Sequence, residues 1–269
     1  MKIYHLTNTT ESQMLAMFVQ TDNGKVIAID GGEVNQSQEV YRILKKLGLK
    51  VDMWFMTHPH SDHFTSIVEV LNAHDDIKVK GIWHSTVSEY GMDDDNKIWY
   101  DFLAQTDLPV HELALDDKFV IDNVTIDVLG IANPEMAKDD EFINNQSIVL
   151  KISDGDFKLL ILGDLAVDGG KKLLENHKND IQCDAVQMAH HGQNGVTKEV
   201  YEAIGAKYAI WSTPIWLWEN RWPTDDKIAP EIKTFEVRGW MEELNAINIT
   251  AFDHTVMFDT VTKEIITVN

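Results

Sequence analysis

Short apolar runs separated by turn residues set the rhythm of this chain. Residues 14–20 (MLAMFVQ) and 25–30 (KVIAID) are apolar and partly β-branched, and the Thr21-Asp22-Asn23-Gly24 between them carries an Asn-Gly hairpin signal. Gly31-Gly32 ends the second of these strands. Over residues 37–47, Val40, Ile43, Leu44 and Leu47 recur at helical spacing, with Ser37 as a capping candidate and Gly48 as the stop. Residues 51–57 (VDMWFMT) predict a short buried strand that runs directly into His58.

The second half repeats the style. Residues 119–128 predict a hairpin, and residues 147–153 and 157–162 predict paired strands across Asp154-Gly155. Helices are expected over 168–177 and 197–204 and within 232–244. Residues 183–189 and 207–211 read as strands, the first ending at His190-His191, and 246–258 as a final strand or hairpin. Strands and helices mix, with ligand-type residues at strand ends. That pattern suits an α/β protein whose sheets are covered by helices and whose site lies at the strand edges.

Composition narrows the class. The 269 residues suit one large domain, and 44% hydrophobic residues suffice for a sizeable core. No repeat, low-complexity tract or linker divides residues 1–269. The single cysteine, Cys183, cannot form an internal disulfide, and no signal-like apolar segment opens the chain, so the expected compartment is the cytoplasm. No run approaches the ~18 apolar residues of a membrane span. The formal net charge of -21 repels phosphate backbones and argues against nucleic acid as a partner.

The chemistry concentrates at residues 57–63, Thr-His-Pro-His-Ser-Asp-His. His58, His60, Asp62 and His63 place four potential metal ligands within six positions, and Pro59 opposes a regular helix there, which predicts a loop after a strand. Imidazole and carboxylate ligands suit zinc, with manganese or iron as alternatives. Ligands packed this tightly can serve two adjacent metals, His58 and His60 facing one, Asp62 and His63 the other. The apolar run 159–162 delivers Asp164 after Gly163. A second apolar run delivers His190-His191-Gly192.

His58-Pro-His60-Ser-Asp62-His63 matches the HxHxDH signature of the metallo-β-lactamase superfamily. The later Gly163-Asp164 and His190-His191-Gly192 resemble the branch that contains the hydrolase domain of bacterial DNA-uptake competence proteins and related standalone hydrolases. The resemblance covers roughly residues 3 to 260. It implies an αβ/βα sandwich of two mixed β-sheets flanked by helices, two divalent metal ions at one sheet edge, and Asp164 bridging them. Many members place a further metal-binding histidine some twenty residues before the bridging aspartate. Here that region reads Phe142-Ile143-Asn144-Asn145-Gln146-Ser147, as in the competence-like branch, and Asn145 is expected near the site as a hydrogen-bonding group. His191 precedes glycine, like the last histidine ligand of several relatives, and is favoured for the second metal. His190 remains open as completing the first metal or as a catalytic group beside Asp62. His254 is a candidate to reach the site from the C-terminal segment.

Two metals sharing a bridging hydroxide would hydrolyse an ester, phosphodiester, thioester or lactam without a protein nucleophile. Asp62 can handle the leaving-group proton. The substrate is expected to be a small molecule. Residues 211–222 hold four tryptophans, and Pro214 predicts a loop. Either they pack a C-terminal subdomain, or Trp216 and Trp218, two apart in an extended loop, line one wall of a pocket with Glu219 and Arg221 nearby. His84 and Asp93-Asp94-Asp95 read as surface or pocket-rim loops. Two other functions remain open. A competence-type nuclease is opposed by the acidity. A non-catalytic ligand sensor is opposed by the complete set of ligands.

Overall fold

A computed structural model describes residues 1–8, 12–87, 94–136, 141–223 and 227–269. The chain opens with β1 (Lys2–His5), β2 (Ala16–Gln20) and β3 (Val26–Asp30), an antiparallel meander. The Asn-Gly turn joins β2 to β3 as the sequence requires, closed by the Thr21 N–H donating to the Lys25 carbonyl at 2.9 Å. Helix α1 (Ser37–Lys46) follows, burying Val40, Ile43 and Leu44. The stretch 51–57, expected as one strand, is broken into β4 (Lys50–Val51) and β5 (Met53–Phe55). Asp52 between them turns its buried carboxylate to the Val26 N–H at 3.1 Å and to Lys80 at 2.6 Å.

Helix α2 (Ser61–Ala73), β6 (Lys78–Val79), β7 (Ile82–His84), α3 (Asp94–Gln105) and β8 (Val110–Glu112) complete this half. Asp93 lies outside the described residues, and Asp94-Asp95 open α3 rather than sit in a loop. Residues 118–250 supply β9 (Lys118–Ile121), β10 (Val124–Gly130), β11 (Val149–Asp154), β12 (Phe157–Ile161), α4 (Val167–His177), β13 (Ala185–Gln187), α5 (Lys198–Ile204), β14 (Tyr208–Trp211), α6 (Ile215–Trp218), α7 (Thr234–Glu243) and β15 (Ile247–Thr250). The segment 246–258 is no hairpin. β15 runs parallel to β14, whereas β16 (Val256–Asp259) crosses to pair antiparallel with β1 and then with β17 (Ile265–Thr267).

Beside a two-stranded parallel ribbon of β4 and β6, the described residues form two large sheets, one of eight strands in the order β17-β16-β1-β2-β3-β5-β7-β8 and one of seven in the order β15-β14-β13-β12-β11-β10-β9. Each sheet is mixed. In the first, β3, β5, β7 and β8 run parallel; in the second, β12, β13, β14 and β15 do.

Alternation along the strands divides the side chains between layers. Met17, Ile27, Ile29 and Phe55 meet Ile126, Leu150, Ile152, Leu159 and Ile161 in a core between the sheets. Phe18, Ala28 and Trp54 face outward onto Ile43, Phe64, Ile67 and Trp99 of the first helical layer. Leu160, Val186 and Ala209 face outward onto Leu173, Val200, Tyr201 and Val237 of the second. The result is the αβ/βα sandwich that the signature implied.

Candidate metal centre

The parallel strands of both sheets release the chain into loops rich in ligand-type side chains. β3 ends at Asp30, β5 leads to His58, β12 to Asp164, β13 to His190 and His191, and β14 to Ser212. Carboxyl ends of parallel strands are where α/β sheets place their sites. The signature itself is divided between loop and helix. His60 is the extended residue before α2, so Asp62 and His63 occupy the first turn of a helix instead of the expected loop. Pro59 lies just outside, where it costs the helix no hydrogen bond.

Asp30, unremarked in the sequence, orders this segment. Its carboxylate, fully buried, accepts the Thr57 N–H at 2.7 Å and the Thr57 hydroxyl at 2.6 Å, and it lies 2.7 Å from His63 Nδ1. The His63 carbonyl in turn accepts from the Gly31 N–H at 2.7 Å. A side chain at Gly31 would meet Ile67 Cγ1 at 2.6 Å, so only glycine lets β3 approach α2 this closely. Asp followed by Gly-Gly reads as a turn signal, which is why sequence reasoning passed over it.

Asp62, His63, Asp164 and His191 each offer a ligand atom, all within 4.8 Å of one another. Asp164 Oδ2 stands 3.1 Å from His191 Nε2, 3.3 Å from His63 Nε2 and 4.0 Å from His58 Nε2. Asp62 Oδ2 is 3.0 Å from His191 Nε2. His60 Nδ1 lies 3.0 Å from His58 Nε2, extending the constellation through His58. The structure therefore brings His58, His60, Asp62, His63, Asp164 and His191 together.

Do these residues fit a metal? His191 Nδ1 lies 3.0 Å from the Ser212 carbonyl, which only accepts, so that nitrogen carries a hydrogen and Nε2 is the atom turned toward the Asp62 and Asp164 carboxylates. The Asp30 carboxylate fixes His63 in the same tautomer. Among the described residues, the Nε2 atoms of both rings and Oδ1 of Asp164 are buried without a well-directed hydrogen bond, although the Asp62 and Asp164 carboxylates stand 3.0–3.3 Å from those nitrogens. Such orphans are costly unless an ion completes them. Carboxylate or carbonyl partners behind ligand imidazoles are the usual support of such a centre. The donor set fits divalent metal.

Electrostatics agree. Burial opposes ionisation of Asp164, but His191 and His63 outweigh it and hold the carboxyl well below its usual range. Burial likewise opposes charge on His191, yet Asp164 and Asp62 raise it to about 9. His63 is raised well above its ordinary value against burial by Asp164, Asp62 and Asp30. His58 moves the other way: burial, then the neighbouring His63 and His60, push it well down. The carboxylates stay ionised and favour a cation among them.

The remaining candidates take other places. His190 is half-buried, with Nδ1 3.4 Å from the Asn194 carbonyl and Nε2 3.5 Å from Asn144 Nδ2. His190 and His191 both have left-handed backbones, φ 50° and 55°, a conformation rare outside glycine. Asn145 is fully buried, and its Oδ1 accepts the N–H groups of Ala166 at 3.1 Å and Gly169 at 2.9 Å, tying down the segment after Asp164. The tryptophans do not follow an extended loop. Trp216 and Trp218 lie in the four-residue helix α6, where two positions apart means opposite sides. Trp218 packs edge-on against Trp211 at 5.1 Å and Phe252 at 5.5 Å, with the Arg238 guanidinium 4.0 Å over its ring. Trp216 packs against Leu217, Ala229 and Ile232. His254 is exposed in the turn before β16. His84 is buried at the end of β7 beside Trp99 and Tyr100, not on a surface loop.

The sequence matches the metallo-beta-lactamase superfamily over residues 9–209, and the chain belongs to that superfamily. It is 27% identical over 214 residues to ComE operon protein 3 of Bacillus subtilis (strain 168), covering 72% of this chain and 26% of that protein. It is 30% identical over 80 residues to the uncharacterized protein YcaI of Escherichia coli (strain K12), covering 26% of this chain and 11% of that one. The chain thus matches at most about a quarter of the length of these relatives. In fold it is similar to YhfI from Bacillus subtilis, with a TM-score of 0.58 and 11% identity over 93% of this chain and 95% of that one. The same score and identity relate it to CmlA, a diiron β-hydroxylase from Streptomyces venezuelae, over 99% of this chain and 54% of that one. No helix among the described residues is long and apolar enough to cross a membrane.

Proposed function

We propose that this chain is a binuclear metal-dependent hydrolase that cleaves an ester or phosphodiester bond of a small-molecule substrate. The observation that carries the reading is the convergence of Asp62, His63 and His191 on Asp164, with one ligand atom of each within 4.8 Å of the others. His58 and His60 would hold one ion, Asp62, His63 and His191 the other, and Asp164 would bridge them. Ions held there, zinc first and manganese or iron as alternatives, would supply Lewis acidity and a water acidified toward a pKa of ~7.

The chain's own residues then position and move protons. Asp30 and the Ser212 carbonyl keep His63 and His191 in the tautomer that presents Nε2. Asp62, whose side chain is 23% exposed, is the ligand open enough to accept or pass on a proton. His190, half-buried beside Asn144, is the second candidate for leaving-group protonation. The similarity to ComE operon protein 3 favours one competing reading, a nuclease, which the net charge of -21 opposes.

The test begins with elemental analysis of protein purified without chelator and reconstituted with zinc or manganese; about two ions per chain are expected. Turnover is then measured on chromogenic phosphodiesters, esters, thioesters and lactones and on single-stranded DNA. Absence of bound metal would sink the proposal, and cleavage confined to DNA would replace it with the nuclease.

A further inference from the structure

His5 is the last residue of β1, in the eight-stranded sheet, and it is 2% exposed. Its Nε2 lies 2.8 Å from the carbonyl oxygen of Trp211, the last residue of β14 in the other sheet. A carbonyl only accepts, so Nε2 carries the hydrogen and donates it. Nδ1 is buried with no hydrogen bond among the described residues. The next carbonyl along the chain, that of Ser212, is the one that accepts from His191 Nδ1. Two successive carbonyls at one strand end are thus each held by a histidine, one from the opposite sheet and one from the metal-ligand cluster.

Three further contacts make this strand end the mould of the His191 turn. The Thr213 hydroxyl donates to the His191 carbonyl at 2.5 Å. The Trp211 indole N–H donates to Asn248 Oδ1 at 2.8 Å, fixing the ring. That ring lies so close over Gly192 (φ 79°) that any side chain there would collide with it. Displacement of Trp211 therefore displaces both the backbone of His191 and the acceptor that orients its imidazole. The eight-stranded sheet supplies Asp62 and His63 to the cluster, and the seven-stranded sheet supplies Asp164 and His191. A bond from His5 to Trp211 ties the two contributions together.

We infer that His5 is a positioning residue for the metal centre: its Nε2–H fixes the Trp211 carbonyl, and through Ser212 it sets the direction in which His191 presents Nε2. The inference rests on the metal-centre reading above. A buried imidazole that binds nothing else is a costly strut where an apolar residue would pack. The cost makes sense if the bond sets a geometry that packing alone leaves loose, as for the supporting residues of metal ligands generally.

The experiment compares wild type with His5→Gln, His5→Asn and His5→Leu. A glutamine amide can donate from the position of Nε2; the shorter asparagine cannot reach Trp211, and leucine donates nothing. Zinc affinity is measured by competition with a chelating dye. The imidazole nitrogen resonances of His191 are followed by NMR in the metal-free protein, and thermal unfolding reports the fold. Expected are about tenfold weaker zinc binding and a shifted His191 Nδ1 signal in His5→Asn and His5→Leu, with His5→Gln close to wild type. Should His5→Leu fail to fold, the Asn–Gln pair carries the same contrast. Wild-type zinc affinity and His191 signals in His5→Asn would overturn the inference, as would equal losses in His5→Gln and His5→Asn. If wild type itself binds no zinc, the metal-centre reading falls, whereas the His191 signals still decide what His5 does.

Discussion

The two sheets contribute to the centre in different ways. The eight-stranded sheet presents its ligands on one contiguous stretch, His58 to His63, held mostly by hydrogen bonds: Asp30 grips His63 and Thr57, and a helix begins within the motif. The seven-stranded sheet presents Asp164 and His191 from separate strands, with His191 on a left-handed backbone and Gly192 after it pressed against the Trp211 ring. One half is ordered by a single buried carboxylate, the other by the packed Trp211 ring together with hydrogen bonds to and from the backbone around it. Substitutions should therefore fail differently in the two halves, by loosening a ligand in the first and by loosening the fold in the second.

The sharpest break should come where the halves meet. Asp164→Asn keeps the shape of the side chain but removes the charge on which three histidines converge. Reconstituted protein should lose roughly 10³-fold or more in kcat/KM, at least ~4 kcal/mol of transition-state stabilisation, with metal content falling below the wild-type value. Far-ultraviolet circular dichroism should stay native, because the sandwich has a core independent of metal. A cooperative unfolding transition lost from this variant would show that the centre also holds the fold together.

On the packing side, Trp218→Ala removes the ring that props Trp211. We expect a loss of about 3 kcal/mol in denaturant unfolding, with a smaller loss for Trp216→Ala. A change in KM without a change in stability would return these residues to a substrate pocket.

His5 gives a comparable effect that depends on pH. Burial lowers its imidazole to about 4, only partly offset by the Trp211 carbonyl. The unfolded chain takes up this proton near pH 6.5 while the folded chain does not. The stability it contributes is therefore full above pH 6.5 and is lost as the pH falls toward 4, the loss reaching about 3 kcal/mol at the acid end. Unfolding of wild type and His5→Gln at pH 7 and pH 5 should differ in slope, the variant being flatter. Parallel curves would refute this.

The smallest expected effect is on the hydrogen-bonded side. Asp30→Asn should weaken zinc binding by about 10- to 100-fold while changing stability little, because the amide still fills the space and bonds Thr57. Equal damage to both properties would erase the distinction between the two halves.

The same asymmetry decides what was legible. Four ligands within six residues after an apolar run announce a metal site, and runs ending in Gly163-Asp164 and His190-His191 announce its other parts. The hairpins at Asn23-Gly24 and Asp154-Gly155 read directly, because turn chemistry is local. Asp30 stayed hidden because Asp before Gly-Gly reads as a turn. The roles of His190 and His191 depended on two left-handed residues, and nothing in adjacent side chains announces that geometry. Helix α6 spans four residues after Pro214, too short to show a period, so its tryptophans read as extended. The segment 246–258 reads as a final strand or hairpin because pairing across 250 residues of chain leaves no local mark.

That long-range pairing has a kinetic consequence. β1 lies between β2 and β16, so one of its edges is completed only when Val256–Asp259 arrives. During synthesis, the first sheet must wait with an open edge while the whole second sheet is made. Loop closure over such a span is slow, and an open apolar edge invites pairing with another chain. Refolding yield should therefore fall with protein concentration, and the late-arriving β16 would act as the latch that ends the vulnerable period.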